Sequence, residues 1–185
     1  MKKQIRGLTL IEMLLALSVS LGIIAGSVAL YQTAQARSEA SRASSDIGRI
    51  LSEVQRLYGS TYQTGYGALT VLDLRARGAD LEDLYVAAQQ RYRAASAIVN
   101  VAPSTRLPGG GTGVAGDGFL VEIAGMKPRM CESAVNTFAR SASFVSAVAG
   151  GTEVTVTGVP GVPDHATVVA ACDRPPAVTL RLHFN

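Results

Sequence analysis

Apolar and polar positions divide the first third of the chain into two stretches of different character. From Leu8 to Tyr31 nearly every position is apolar or small, and Glu12 is the one charged residue. As a helix these about 24 residues extend about 36 Å, enough to cross a hydrocarbon core of about 30 Å. From Ala36 the pattern becomes one-sided. Ala36, Ala40, Ala43, Ile47, Ile50, Val54 and Leu57 follow a 4-3-4-3-4-3 spacing, with Arg37, Glu39, Arg42, Asp46, Arg49, Glu53 and Arg56 between them. That is an a/d seam on an amphipathic helix. The two stretches join without a breaker, so one helix is predicted from Leu8 to about Tyr58. Either a globular head of the same chain or a second copy in a coiled coil would cover the seam.

The remainder reads as the head. "YGSTYQTGYGAL" ends the long helix with glycines and tyrosines. Leu69 to Arg77 is predicted as a short second helix, stopped by Gly78. Asp80 to Arg93 reads as loop or helix. "VAPSTRLPGGGTGVAGDG" reads as a long loop, because of Pro103, Pro108 and its glycine cluster. "FLVEI" is predicted as a strand. Cys131 to Val148 is predicted as a helix with Val135, Phe138 and Val145 inward. "TEVTVTGV" and "TVVAAC" are predicted as strands. In "AVTLRLHF", Val178, Leu180, Leu182 and Phe184 alternate with Thr179, Arg181 and His183, the mark of a half-buried strand. The expected fold class is α+β: a long N-terminal helix, apolar in its first half and amphipathic in its second, packed on a head with a mostly antiparallel sheet. The expected division is residues 1–7, 8–31, 32–58 and 59–185.

Charge changes this picture only at the N-terminus. The formal net charge is +3, and Lys2, Lys3 and Arg6 supply all of it; the rest of the chain has 14 basic and 14 acidic side chains. A neutral chain carries no overall electrostatic footprint for nucleic acid, which leaves only a local basic patch open. Basic residues before the apolar run, with none close after it, favour a cytoplasmic N-terminus.

Glu12 is harder to place. An acid at the centre of a membrane span costs about 2.5–3.5 kcal/mol on insertion scales, and less near its end. A plain membrane anchor leaves it unexplained. A cleaved secretory signal ending at Ala34-Gln35-Ala36 is a second reading, but its apolar stretch is too long and contains an acid. In a third reading the chain is cut after Gly7. Leu8 then becomes a free amino terminus just over one helical turn from Glu12. Between helices packed side by side, the Leu8 amine of one copy and Glu12 of its neighbour form a pair that fixes register.

"KQIRG-LTLIEMLLAL", with Gly7, an apolar Leu8 and Glu12, resembles the class III signal of type IV prepilins. The resemblance implies cleavage after Gly7 by a prepilin peptidase, which also methylates the new N-terminus. It further implies a precursor in the inner membrane of a Gram-negative bacterium, with a cytoplasmic N-terminus and a periplasmic head. Inner-membrane assembly machinery would then polymerise it into an extracellular filament of identical copies. A non-aromatic Leu8 is similar to the type IVb class. Ser18, Gly22 and Gly26 form a small-xxx-small ladder that permits close helix approach in lipid. Each glycine also weakens the helix, by up to about 1 kcal/mol relative to alanine. Gly22 and Gly26 are the expected point of loosening in a filament.

The tyrosine-glycine turn, the later helix and the C-terminal cysteine loop are similar to type IVb pilins. This implies a disulfide between Cys131 and Cys172 bounding residues 131–172. From the residues alone, an even cysteine number without CxxC fits a disulfide in an exported segment, or two buried thiols in a cytosolic one. Alternatives to a major pilin are a minor pilin, a type II secretion pseudopilin, and a monomeric anchored binding protein.

No catalytic constellation is present in the sequence. Gly111 to Gly116 match GxGxxG, but no strand is predicted to feed them and a strand rather than a helix follows. His165 and His183 stand apart, and Asp164 beside His165 reads as a turn. No cofactor, metal or enzymatic activity is expected.

Overall fold

The computed structural model describes residues 10–59, 65–105, 116–157, 165–173 and 177–185. It forms two compact units, Met1–Arg37 and Ser38–Asn185. Helix α1, Leu10–Tyr58, runs without interruption through 49 residues. The predicted seam is its buried stripe from Ala40 onward. Ala43, Ile47, Ile50 and Val54 are at most 1% exposed, joined by Ala40, Leu51 and Tyr58. These side chains share one core with the head's own sheet. The seam is therefore covered from within the chain, and the coiled-coil reading falls.

The sheet has seven strands: β1 (Tyr85–Val86), β2 (Arg91–Ala94), β3 (Ala97–Ser104), β4 (Gly118–Met126), β5 (Phe144–Ala149), β6 (Thr152–Thr157) and β7 (Val178–Phe184). Their order is β1-β2-β3-β4-β7-β5-β6, and every pairing is antiparallel. Alternation selects the inner face. Val99, Val101, Val121, Ile123, Leu180, Leu182, Val145 and Ala147 are all buried, because successive strand side chains point to opposite faces. Three helices complete the head after α1: α2 (Val71–Ala76), α3 (Pro128–Phe138) and α4 (His165–Cys172). The segment α3-β5-β6-α4 is inserted between β4 and β7, and β5 returns to pair with the far side of β7.

Five sequence expectations are corrected. The stretch from Asp80 to Arg93, expected as loop or helix, contains strand β1 and the start of β2. "TVVAAC" lies in helix α4 and is not a strand. The helix predicted to Val148 stops at Phe138, and Phe144–Ala149 is strand β5. Val145 is buried as expected, but on a strand. The loop predicted from Val101 begins only after Ser104, since its first residues belong to β3. A strand thus does precede the GxGxxG segment. Antiparallel β4 rather than a helix follows it; Gly111 to Ala115 lie outside the described residues. Pro103 is tolerated because β2 pairs only with Ala97 to Val99, leaving β3 with one neighbour at that level.

Polar side chains on α1 fix the segment between α2 and β3. Arg49 donates two hydrogen bonds to the Asp83 carboxylate, at 2.7 and 3.0 Å, and reaches the Asp80 carbonyl at 3.4 Å. Tyr58 donates its hydroxyl hydrogen to Asp73, and Arg77 lies 4.7 Å above the Tyr58 ring. The β2–β3 turn is only Ala95-Ser96, and Ala95 has φ of 51°. A side chain is disfavoured in that region by about 1–2 kcal/mol. Asp46 compensates by accepting the Ala95 N–H at 3.2 Å.

We therefore predict opposite effects at the two ends of this hydrogen bond. Asp46→Ala lowers stability by about 1–3 kcal/mol, the usual loss for a hydrogen bond to a charged group. Ala95→Gly raises it by about 1 kcal/mol by removing the strained Cβ. Thermal unfolding of the detergent-solubilised chain measures both, and a stability loss in Ala95→Gly contradicts the assignment.

Candidate anchoring and assembly site

In the first unit, large apolar side chains face outward all around α1. Exposure is 79% at Leu10, 50% at Val28 and 64% at Tyr31. The helix is long and apolar enough to cross a membrane. Its described serine and threonine hydroxyls suit such surroundings, because each donates to a carbonyl of the preceding turn. Ser18 bonds to Leu14 at 2.8 Å, Ser20 to Ala16 at 2.8 Å, Ser27 to Ile24 at 2.8 Å and Thr33 to Ala29 at 3.0 Å. Backbone partners remove the penalty of burying these groups in lipid.

Glu12 lies exposed in the first turn of α1. A carboxylate there is favoured by the positive end of the helix dipole. Gly7 and Leu8 lie outside the described residues. Gly22 and Gly26 sit within the continuous helix, and a Cβ at either would meet nothing within 4 Å. Among the described residues, no packing contact requires glycine at these two positions.

In the second unit, Cys131 on α3 and Cys172 at the end of α4 form a disulfide, with Cα atoms 5.6 Å apart and a sequence separation of 41. Both are fully buried. Met130, Ala134, Val135 and Phe138 line the buried side of α3, and Val168 and Ala171 that of α4. The bridge therefore closes a loop comprising most of α3, β5, β6 and α4, as the cysteine pairing implied.

Cross-element ion pairs are the contacts that sequence reasoning missed. Arg181 on β7 contacts Glu122 on β4 at 3.0 Å and Glu153 on β6 at 3.9 Å. Lys127 reaches Glu39 at 2.7 Å. The Lys127 hydrogen bond, with a second from Ser96, holds the Glu39 carboxyl below its usual range. Its contribution to stability is present above the unfolded pKa and is lost as pH falls through the lower folded value. Nothing in the sequence pairs residues this far apart; the strand register alone places Arg181 opposite Glu122.

The histidines have structural settings. His165 starts α4 and is exposed, and Asp164 lies outside the described residues. His183 is buried on β7, with Nδ1 2.8 Å from Ser104 Oγ. Among the described residues no cluster of His, Cys, Asp and Glu could hold a metal ion.

No protein-family model matches the chain, and no curated protein matches it. Among solved structures it is similar to TcpA, a type IV pilin from Vibrio cholerae El Tor biotype. The TM-score is 0.53 at 12% identity, over 80% of this chain and 99% of that one. At that identity the likeness is one of fold: the chain has the type IV pilin fold, with the long helix and α+β head that its pattern predicted, which is the fold of the family that its leader resembles.

The disulfide generates a prediction. Alkylation of natively exported protein under denaturing, non-reducing conditions should label no thiol. Reduction should cost roughly 4 kcal/mol by the chain-entropy relation, read as a lowered denaturation midpoint. Two labelled cysteines in exported protein contradict the bridge.

Proposed function

We propose that this protein is a pilin subunit of the type IVb class. Its precursor is held in the inner membrane by α1, with the head in the periplasm. A prepilin peptidase cuts after Gly7 and methylates Leu8, and assembly machinery builds the mature chain into an extracellular filament. The observation that carries this reading is one helix whose first part is apolar and exposed on all sides and whose second part is buried on its own head. A polymer with helices packed along its core gives the first part its cover. The disulfide-bounded region of α3, β5, β6 and α4 favours a pilin over a pseudopilin.

Within this reading Glu12 serves assembly. In the filament it faces the free amine of a neighbour's Leu8, in surroundings where an uncompensated charge is expensive. Removing one member of a buried pair typically costs about 3–5 kcal/mol, less at an edge, and every subunit repeats the loss. Gly22 and Gly26 supply the point at which the helix loosens as subunits pack, because two weak helix formers stand one turn apart there.

Two variants test the proposal. Gly7→Val, expressed with the peptidase, should keep its leader and remain in the membrane; efficient loss of the heptapeptide contradicts the site. Glu12→Ala should insert and be cut normally, yet build few or no filaments on its own. Abundant filaments composed only of Glu12→Ala subunits contradict the pairing.

A further inference from the structure

The buried seam of α1 changes character along its length. Residues 38–45 read SEASRASS, in which alanine is the only apolar residue type. Ala40 and Ala43 are the buried side chains of these two turns, and each brings one methyl group to the core. From Ile47 onward the seam carries Ile47, Ile50, Leu51, Val54 and Tyr58, all buried. Apolar stabilisation scales with the area removed from water, so it holds the first two turns far less strongly than the rest.

What fastens those turns is polar. Lys127, which precedes α3, donates to Glu39 at 2.7 Å, and Ser96 of the β2–β3 turn gives Glu39 a second hydrogen bond. Ser44 lies 3.3 Å from Ser133 on α3. Asp46 accepts the Ala95 N–H and stands next to Ile47, at the border of the strongly packed part. Side-chain exposure is 63% at Lys127 and 26% at Glu39. An ion pair this open to water contributes little net stability and exchanges readily for hydration. Sparse apolar burial and an exposed ionic clip thus meet in one segment. Segments of that kind open locally while the rest of a fold stays closed.

We infer that residues 38–45 form a latch: they leave the head and return while residues 47–58 stay packed, and the Glu39–Lys127 clip sets how often. The sheet need not change, because its strand pairs involve none of these residues. The latch does not depend on the filament reading. Within that reading it lets the head re-seat on its own helix as subunits pack.

The native cysteines are bonded to each other and no other cysteine is present, so an introduced cysteine is the sole free thiol. In the detergent-solubilised full-length chain, the rate of maleimide labelling of Ala43→Cys is compared with that of Val54→Cys. Both sites are at most 1% exposed, so labelling requires opening. Residue 43 should react faster than residue 54 by on the order of tenfold or more. Glu39→Gln should speed labelling at residue 43 by about two- to fivefold, the change that an ion pair this exposed supports, and leave residue 54 unchanged. Lys127→Gln should act in the same direction and add little to Glu39→Gln, as expected of two groups that act through each other. Should Ala43→Cys not fold, Ala40→Cys reads the same segment. Equal rates at residues 43 and 54 overturn the latch. A Glu39→Gln effect of equal size at both sites also overturns it, because the pair then supports the whole head. Additive effects of Glu39→Gln and Lys127→Gln overturn the clip.

Discussion

The packing of the α1 seam into the head is the contact on which the second unit depends. Ile47, Ile50 and Val54 are fully buried beside Val99, Val121, Ile123, Leu180 and Leu182 in one core. Each such side chain contributes about 1.5–3 kcal/mol when removed from water. The sheet's inner face has no other helix of comparable length among the described residues, since α2, α3 and α4 span 6, 11 and 8 residues. Small residues at the start of the seam, Ala40 and Ala43, leave room for close approach. Polar residues flanking the seam then tie down the segment from Asp73 to Ser96. One stripe of a single helix thus organises the core, and its borders hold the chain that follows.

The same helix is subject to a second constraint in its first unit, where no stripe exists because apolar side chains point in every direction. Such a surface requires lipid or other apolar helices around it. Charge is distributed accordingly. The acid at Glu12 stands at the start of the helix, and the hydroxyls are internally bonded. The fold thereby separates the residues that hold the head together from those available to anchor and assemble it.

Legibility in the sequence followed the length and regularity of each element. The long helix, its seam and strand β7 were readable because their periods persist over many residues. Helix α4 was not, since Thr167, Val168 and Val169 favour strands locally; burial of Val168, Ala171 and Cys172 beside α3 overrides that preference. The end of α3 was missed because Ala139 to Ser143, four small residues and Arg140, contain no glycine or proline as a stop signal. The β2–β3 hairpin was invisible because its turn is Ala95-Ser96, without the glycine or asparagine that normally marks one. Asp46 makes that turn possible from 49 residues away, a relation no local pattern encodes. For the candidate site, the sequence motif supplied Gly7, Leu8 and Glu12, whereas the ion pair of Arg181 with Glu122 emerged only from the strand register.

The central claim is that this helix is both the anchor of the precursor and the retained core of the mature subunit. Mass spectrometry of the N-terminus of the mature protein tests it most directly. The account predicts a chain that begins at Leu8 with a methylated amine and keeps Glu12 and the entire apolar stretch. A mature chain beginning at Arg37, with the helix removed at Ala34-Gln35-Ala36, would contradict it.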